Sequence, residues 1–329
     1  MRIAIFDGEP EEKAYFEQAL EGHDVFFINT PLTMETLQQA GGIHAAECEV
    51  ISIFIYSNVT EELLRSLPKL KVIATRSTGT DHIDTAACSQ QGVQVYNVPT
   101  YGVHAVAEHA FALILALSRK LIPSVERTKK GNFHSQGLTG FELYGKTIGI
   151  VGYGNIGTSV GDIAKGFGMR ILATSRSTKN IPGVTFVPLE ELLKQSDVIT
   201  IHTPLTPQTQ HLINCDNIML CKKGALLINT SRGPVIDTTA IIMALQKGVL
   251  GGAGLDVLEE EGSIREEREL LTSTHIDLIS AKKMLMGHVL QDMDNVIITP
   301  HNAFNSVESL EEINAVTVQN IQSALSKLT

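Results

Sequence analysis

Thr147-Ile-Gly-Ile-Val-Gly152-Tyr-Gly154-Asn-Ile-Gly157 decides the fold. A short apolar run reads as a buried strand, three glycines follow in the spacing Gly-x-Gly-x-x-Gly, and a helical pattern continues over Ile156–Phe167. Gly152 permits a tight turn, Gly154 lets the backbone approach a pyrophosphate, and Gly157 allows the helix to pack closely on the strand. The amides of Asn155 and Ile156 open that helix, and a helix N-terminus offers unpaired N–H groups and partial positive charge to phosphates. A glycine turn of purely structural purpose is the competing reading. Because strand, helix and a second strand (Arg170–Thr174) all fall in place, the motif points to dinucleotide binding by Gly152, Gly154, Asn155, Ile156 and Gly157.

The next strand ends in Ala173-Thr174-Ser175-Arg176-Ser177, without the acidic residue expected for the ribose diol of NAD(H). Ser175 stands in the acidic position. Absence of the carboxylate removes its repulsion of a 2′-phosphate, and the guanidinium of Arg176 can bind that phosphate. The pair therefore points to NADP(H) in preference to NAD(H). The other readings of Arg176 are a solvated side chain, or one stacked on adenine with either cofactor.

Outward from this motif, strand and helix patterns alternate in both directions. Strands are expected downstream at Val198–His202, Ala225–Asn229, Gly254–Val257 and Val296–Thr299, with helices at Leu189–Gln195 and Thr238–Gln246. Upstream, Arg2–Phe6, Val25–Ile28, Val50–Tyr56, Val72–Arg76 and Val93–Asn97 read as strands, and Pro10–Leu20, Glu61–Leu67 and Ile83–Gln90 as helices. Continuous apolar strands alternating with helices imply parallel sheets covered on both faces, an α/β class. A long helix is expected from Gly102 to about Leu121, and Gly131–Gly145, rich in Gly and polar residues, reads as a connection between domains.

The chain has 329 residues, enough for two domains, with 43% hydrophobic and 19% charged residues, as in ordinary globular proteins. A formal net charge of −10 argues against nucleic-acid partners, which need a basic face. The opening reads as a buried strand and not as a secretory signal, and the most apolar helical stretch is too short to span a bilayer. No membrane association is expected. Cys48, Cys88, Cys215 and Cys221 include no CxxC pair and read as free thiols, which places the protein in the cytoplasm. Glu108 and His109 lack companions at ligand spacing, so no metal site is expected.

Three motifs follow the fingerprint: Asn229-Thr230-Ser231-Arg232-Gly233-Pro234, Gly254-Leu-Asp256-Val-Leu-Glu259-Glu260-Glu261, and Thr299-Pro300-His301-Asn302-Ala303. Each lies just past a strand, where open parallel sheets bind ligands. With Ser77-Thr-Gly-Thr-Asp81-His-Ile-Asp84 and Val106-Ala-Glu108-His109, they make the chain resemble, over nearly its whole length, the D-isomer-specific 2-hydroxyacid dehydrogenases. It is most similar to the D-lactate dehydrogenase branch, which has a long segment before the TPH motif and no proline after the catalytic Glu; here Gly262 follows.

The resemblance implies a flavodoxin-like substrate domain, discontinuous over 1–101 and 300–329, and a Rossmann dinucleotide-binding domain over 102–299. It implies a hydride exchange between NAD(P)H and a small 2-keto acid, giving a D-2-hydroxy acid. Arg232 would bind the carboxylate and carbonyl through its planar fork. His301 would be the general acid, with Glu261 on its far ring nitrogen and Glu259 the nearest rival for that role. Thr203, Pro204, Thr230 and Asp256 would line the cofactor site. Thr78 and Gly79 would help hold the substrate carboxylate, and Tyr56 would be a pocket aromatic, for which core packing is an equal explanation. The branch tends to carry two aromatics after the TPH motif, whereas Phe304 is followed here by Asn305.

Two rival functions accompany this one. A glyoxylate/hydroxypyruvate reductase is favoured by the Ser175-Arg176 pair. An NAD(H)-sensing corepressor-like scaffold would keep the fold without turnover. The family implies a homodimer.

Overall fold

Continuous apolar runs become the buried strands of two parallel sheets, described in this computed structural model over residues 1–39, 45–176, 180–259 and 278–328. The first sheet contains β1 (Arg2–Ile5), β2 (Asp24–Phe27), β3 (Val50–Ile53), β4 (Val72–Thr75) and β5 (Gln94–Tyr96), in the order β2-β1-β3-β4-β5. Helices α1 (Lys13–Ala19), α2 (Met34–Gln39), α3 (Glu61–Arg65) and α4 (Thr85–Gln90) lie between these strands. Side chains alternate across a strand, so Ala4, Ile51 and Ile73 join one core with Leu63 and Leu64 of α3. Ile3, Ile5, Val50 and Val72 join another with Phe16 of α1.

The second series runs α5 (Val103–Ser118), α6 (Leu121–Lys129), β6 (Thr147–Val151), α7 (Asn155–Gly166), β7 (Arg170–Thr174), β8 (Val184–Phe186), α8 (Leu189–Gln195), β9 (Val198–Ile201), β10 (Ala225–Asn229), α9 (Thr238–Gln246), β11 (Leu250–Leu255), α10 (Leu278–Gln291) and β12 (Val296–Ile298). Its strands are ordered β12-β11-β10-β9-β6-β7-β8. β6 pairs with both β7 and β9, so the strand order reverses there, and the carboxyl ends of β6 and β9 form the switch point of a doubly wound sheet. Ile148 and Ile150 pack with α5 and α7, while Val151 belongs to the opposite core with Leu192, Leu193 and Ile241. The last helix, α11 (Val307–Leu328), packs Val318, Ile321 and Leu325 on the first sheet.

The chain divides into Met1–Tyr101 with Ser306–Thr329, and Gly102–Asn305. Residues 131–145, expected as a connection between domains, therefore lie inside the second unit. The reason is that α5 already belongs to that unit's core through Ala107, Ala110, Phe111 and Ile114. Residues 300–305 also group with the second unit, tied there by amides at 301–303. The expected helix from Gly102 to Leu121 stops at Ser118, and the chain turns through Lys120 at φ 48° before α6 begins. Helix α6 buries none of its residues, and β8 is a three-residue edge strand. A strand of three residues is too short to leave a strong periodic signal.

Among the described residues no helix is long and apolar enough to cross a membrane, and no cluster of His, Cys, Asp and Glu could hold a metal ion. The four cysteines carry free thiols. Burial pushes Cys48 up to about 11 and Cys221 up to about 12, which keeps both as unreactive thiols at neutral pH.

Candidate active site

The fingerprint turn sits directly beyond β6. Gly152 adopts φ 95°, and a Cβ there would lie 2.5 Å from the His202 carbonyl oxygen. At Gly157 a Cβ would lie 2.3 Å from the Gly152 carbonyl oxygen. The chain itself therefore demands glycine at both positions. Gly154 differs. It is exposed, and a Cβ there would meet nothing within 4 Å. It also caps α7, whose first internal bond runs from the Thr158 amide to the Gly154 carbonyl, so the amides before Thr158 have no partner within the helix. Open space against unpaired amides at a switch point fits a dinucleotide pyrophosphate. Past β7, Ser175 is half-buried and Arg176 exposed.

Beyond β9, His202 bonds Thr200 Oγ1 through Nε2 at 2.8 Å and faces Thr230 Oγ1 through Nδ1 at 3.5 Å. Desolvation pushes this imidazole down to about 3, so it is neutral at physiological pH. Sequence reading gave His202 no role. Thr203 is half-buried and Pro204 exposed just after it.

Beyond β10, the turn carrying Arg232 is built by Asn229. Its Oδ1 accepts from the Ser231 amide and hydroxyl, both at 3.0 Å, and its Nδ2 donates to the Arg232 carbonyl at 3.0 Å. An Asn that folds the next two residues around its side chain is a standard turn device, and the Asn-Thr-Ser run was its signal. Arg232 is half-buried in extended conformation, and one guanidinium nitrogen donates to the Ser231 carbonyl at 2.9 Å.

Beyond β11, Asp256 is 1% exposed. Its Oδ1 accepts from Thr299 Oγ1 at 2.5 Å and the Asn302 amide at 3.0 Å, and its Oδ2 accepts from the Ala303 amide at 2.9 Å. Its own carbonyl accepts from the His301 amide at 2.9 Å. His301 is half-buried at φ 52°, a left-handed conformation that costs a non-glycine residue roughly 1–2 kcal/mol. His109 of α5 completes the set, with Nε2 3.1 Å from Thr299 Oγ1 and 3.5 Å from Asp256 Oδ1. The sequence offered no signal for this part of His109, since Thr299 lies 190 positions away.

Glu261 lies outside the described residues. Its rival Glu259 is bonded by His211 Nε2 at 2.8 Å and by the Thr238 amide at 3.0 Å. In the first unit, Thr78, Gly79 and Tyr56 lie past the carboxyl ends of β4 and β3. Thr78 is exposed and donates its hydroxyl to the Val98 carbonyl at 3.1 Å, the Gly79 carbonyl accepts from Ser77 Oγ at 2.7 Å, and Tyr56 meets Phe54 edge-on at 5.7 Å.

Residues 111–303 match the family model described as D-isomer specific 2-hydroxyacid dehydrogenase, NAD binding domain. The chain is 36% identical to a D-lactate dehydrogenase of Escherichia coli over 98% of its length and 96% of the relative's. It is 37% identical to a glyoxylate reductase of Pyrococcus furiosus over 84% and 79% of the two chains. A crystal structure of D-lactate dehydrogenase from Aquifex aeolicus complexed with NAD and lactic acid superposes with a TM-score of 0.88 at 36% identity, covering 99% of this chain and 96% of that one.

Two outcomes are expected. Gly157→Ala destabilises the free protein by about 1–3 kcal/mol, since the added carbon collides with backbone, whereas Gly154→Ala leaves thermal unfolding nearly unchanged and weakens dinucleotide binding. Equal stability losses in a melting experiment would contradict this geometry. As pH falls from 6.5 toward 3, unfolded His202 takes up a proton that the folded residue refuses, so stability drops across that window. His202→Gln flattens this part of the acid unfolding curve.

Proposed function

We propose that this chain, which belongs to the D-isomer-specific 2-hydroxyacid dehydrogenases, acts on pyruvate and D-lactate. It is an oxidoreductase that interconverts a small 2-keto acid and the D-2-hydroxy acid with NAD(H). The observation that carries the substrate reading is the likeness, over 99% of the chain, to a D-lactate dehydrogenase holding NAD and lactic acid. A second reading, reduction of glyoxylate or hydroxypyruvate, is favoured by the glyoxylate reductase relative and by the Ser175-Arg176 pair.

A nicotinamide dinucleotide held here would supply the hydride for the keto carbon. Arg232 holds the substrate carboxylate and carbonyl oxygen and counters the negative charge that grows on that oxygen. Amides at Thr78 and Gly79 assist with the carboxylate, and Tyr56 borders the side chain. His301 gives its proton to the carbonyl oxygen as the C–O double bond becomes single, and takes it back in the oxidation. Glu261 is the residue this reading assigns as partner to the His301 ring. Asn155, Ile156 and Gly157 would hold the pyrophosphate of that dinucleotide, and Thr203, Pro204, Thr230 and Asp256 would help hold the rest of it.

The same reading includes a preference for NADP(H) over NAD(H), supported by the exposed Arg176 guanidinium beside Ser175. It includes a homodimer formed through the second unit, supported by Leu121, Ile122 and Val125 exposed on α6 and by the exposed Phe133 and Tyr144. A cytoplasmic location, supported by the four free thiols, completes it.

NADH and NADPH oxidation is to be followed at the nicotinamide absorbance with pyruvate, glyoxylate, hydroxypyruvate and phenylpyruvate in parallel. Fastest turnover is expected with pyruvate; tight dinucleotide binding without turnover of any acid would instead identify a scaffold. Arg232→Gln raises the keto-acid KM and lowers kcat together, with kcat/KM falling on the order of 10²-fold or more. Unchanged kinetics would remove Arg232 from the site. Ser175→Asp combined with Arg176→Ala shifts preference toward NADH, and an unmoved preference would place 2′-phosphate recognition elsewhere.

A further inference from the structure

The His211–Glu259 pair has no part in the chemistry above, yet it is built with care. The Glu259 side chain is 6% exposed, and both its oxygens are bonded, Oε1 to His211 Nε2 at 2.8 Å and Oε2 to the Thr238 amide at 3.0 Å, at the start of α9. Burial acts to raise the pKa of Glu259, but hydrogen bonds from Thr238 and His211 outweigh it and leave the carboxyl below its usual range.

His211 grips a second segment through its backbone. Its amide donates to the Pro234 carbonyl at 2.8 Å, and the residue sits at φ 49°, in the left-handed region that few non-glycine residues other than Asn, Asp and His occupy. Pro234 belongs to the one-turn 3-10 helix Gly233–Val235, for which Arg232 is the N-cap. That turn lies hard against the Glu259 segment. A Cβ on Gly233 would fall 2.0 Å from the Leu258 carbonyl oxygen and 2.5 Å from the Glu259 amide nitrogen. His211 thus holds the Arg232 turn with its backbone, and with its ring it holds the segment on which that turn rests.

We propose that His211 and Glu259 are positioning residues for substrate capture, clamping the Arg232–Pro234 turn onto Leu258–Glu259 and so fixing where the Arg232 guanidinium is presented. This rests on the reading of Arg232 as the keto-acid anchor. An alternative role, helix capping of α9 alone, would contribute to stability without any dependence on Arg232.

A double-mutant cycle separates the two. His211→Asn keeps the left-handed backbone, which Asn tolerates, but withdraws the donor from Glu259, and His211→Gln restores a donor of longer reach. Both are made in wild-type and Arg232→Gln backgrounds, with pyruvate KM and kcat, NADH affinity by fluorescence, and Tm measured for each. His211→Asn is expected to raise the pyruvate KM about fivefold to tenfold, with NADH affinity within about twofold of wild type and substantial recovery in His211→Gln. In the Arg232→Gln background the same change alters kcat/KM by less than about twofold. An equal loss in both backgrounds, or a lowered Tm with an unmoved KM, overturns the proposal and leaves a helix cap. If wild type reduces pyruvate and Arg232→Gln impairs it while the His211 variants do not, the clamp alone is wrong. Absence of turnover by wild type with every keto acid, or an unimpaired Arg232→Gln, removes the reading of the site and the clamp with it.

Discussion

The buried carboxylate of Asp256 is the group on which the end of β11 and the turn after β12 depend. A carboxylate 1% exposed must fill its lone pairs from within the protein. Asp256 does so with the Thr299 hydroxyl and the amides of Asn302 and Ala303, and its carbonyl takes the His301 amide as well. Each such bond is worth roughly 1 kcal/mol net, together enough to hold His301 in a left-handed conformation that it would leave if free. The end of β11 and the turn over 299–303 become one rigid object, joined to α5 through His109 and Thr299. This is also why 300–305 group with the dinucleotide-binding unit and not with the unit that claims α11.

What the sequence made legible follows from how local each signal is. The fingerprint, the Arg232 turn and the Thr299–Ala303 motif each occupy a few consecutive residues, and each lies at a strand's end in the structure. Both sheets were legible because strands covered on two faces read as unbroken apolar runs. The break at Arg119–Lys120 was not, because the amphipathic pattern continues into Leu121 and Ile122 while the backbone departs at a single dihedral. His109 and His202 were passed over for a related reason. Their partners include a threonine 190 positions away in one case and, besides the neighbouring Thr200, a threonine 28 positions away in the other. Local pattern carries no information about such pairings.

The acidic run Glu259-Glu260-Glu261 shows a finer limit. Three adjacent carboxylates are indistinguishable by composition, and only the resemblance to the family singled out Glu261. The structure bears on this from the other side. Glu259 has both oxygens committed to His211 and to the N-terminus of α9, where a negative charge also meets the favourable end of the helix dipole. The fold therefore uses the first glutamate of the run for architecture. A side chain so enclosed gains its low pKa from fixed donors, and a group that must exchange partners during a proton transfer is poorly served by such an arrangement.

The three glycines of the fingerprint, which look equivalent in sequence, are held by different forces. Gly152 is fixed by its dihedral and by the His202 carbonyl, and Gly157 by the carbonyl of Gly152. Both would be glycine in a protein that bound nothing. Gly154 faces open space at the mouth of α7, so no contact within the chain accounts for it. A ligand approaching the backbone there would account for it, and the unpaired amides at the start of α7 suit an anion. The proposed discrimination between the two nicotinamide dinucleotides falls one strand further on, at Ser175 and Arg176 past β7. Under that proposal pyrophosphate capture and 2′-phosphate selection fall to separate segments, so a change of cofactor preference would require no change in the glycine turn.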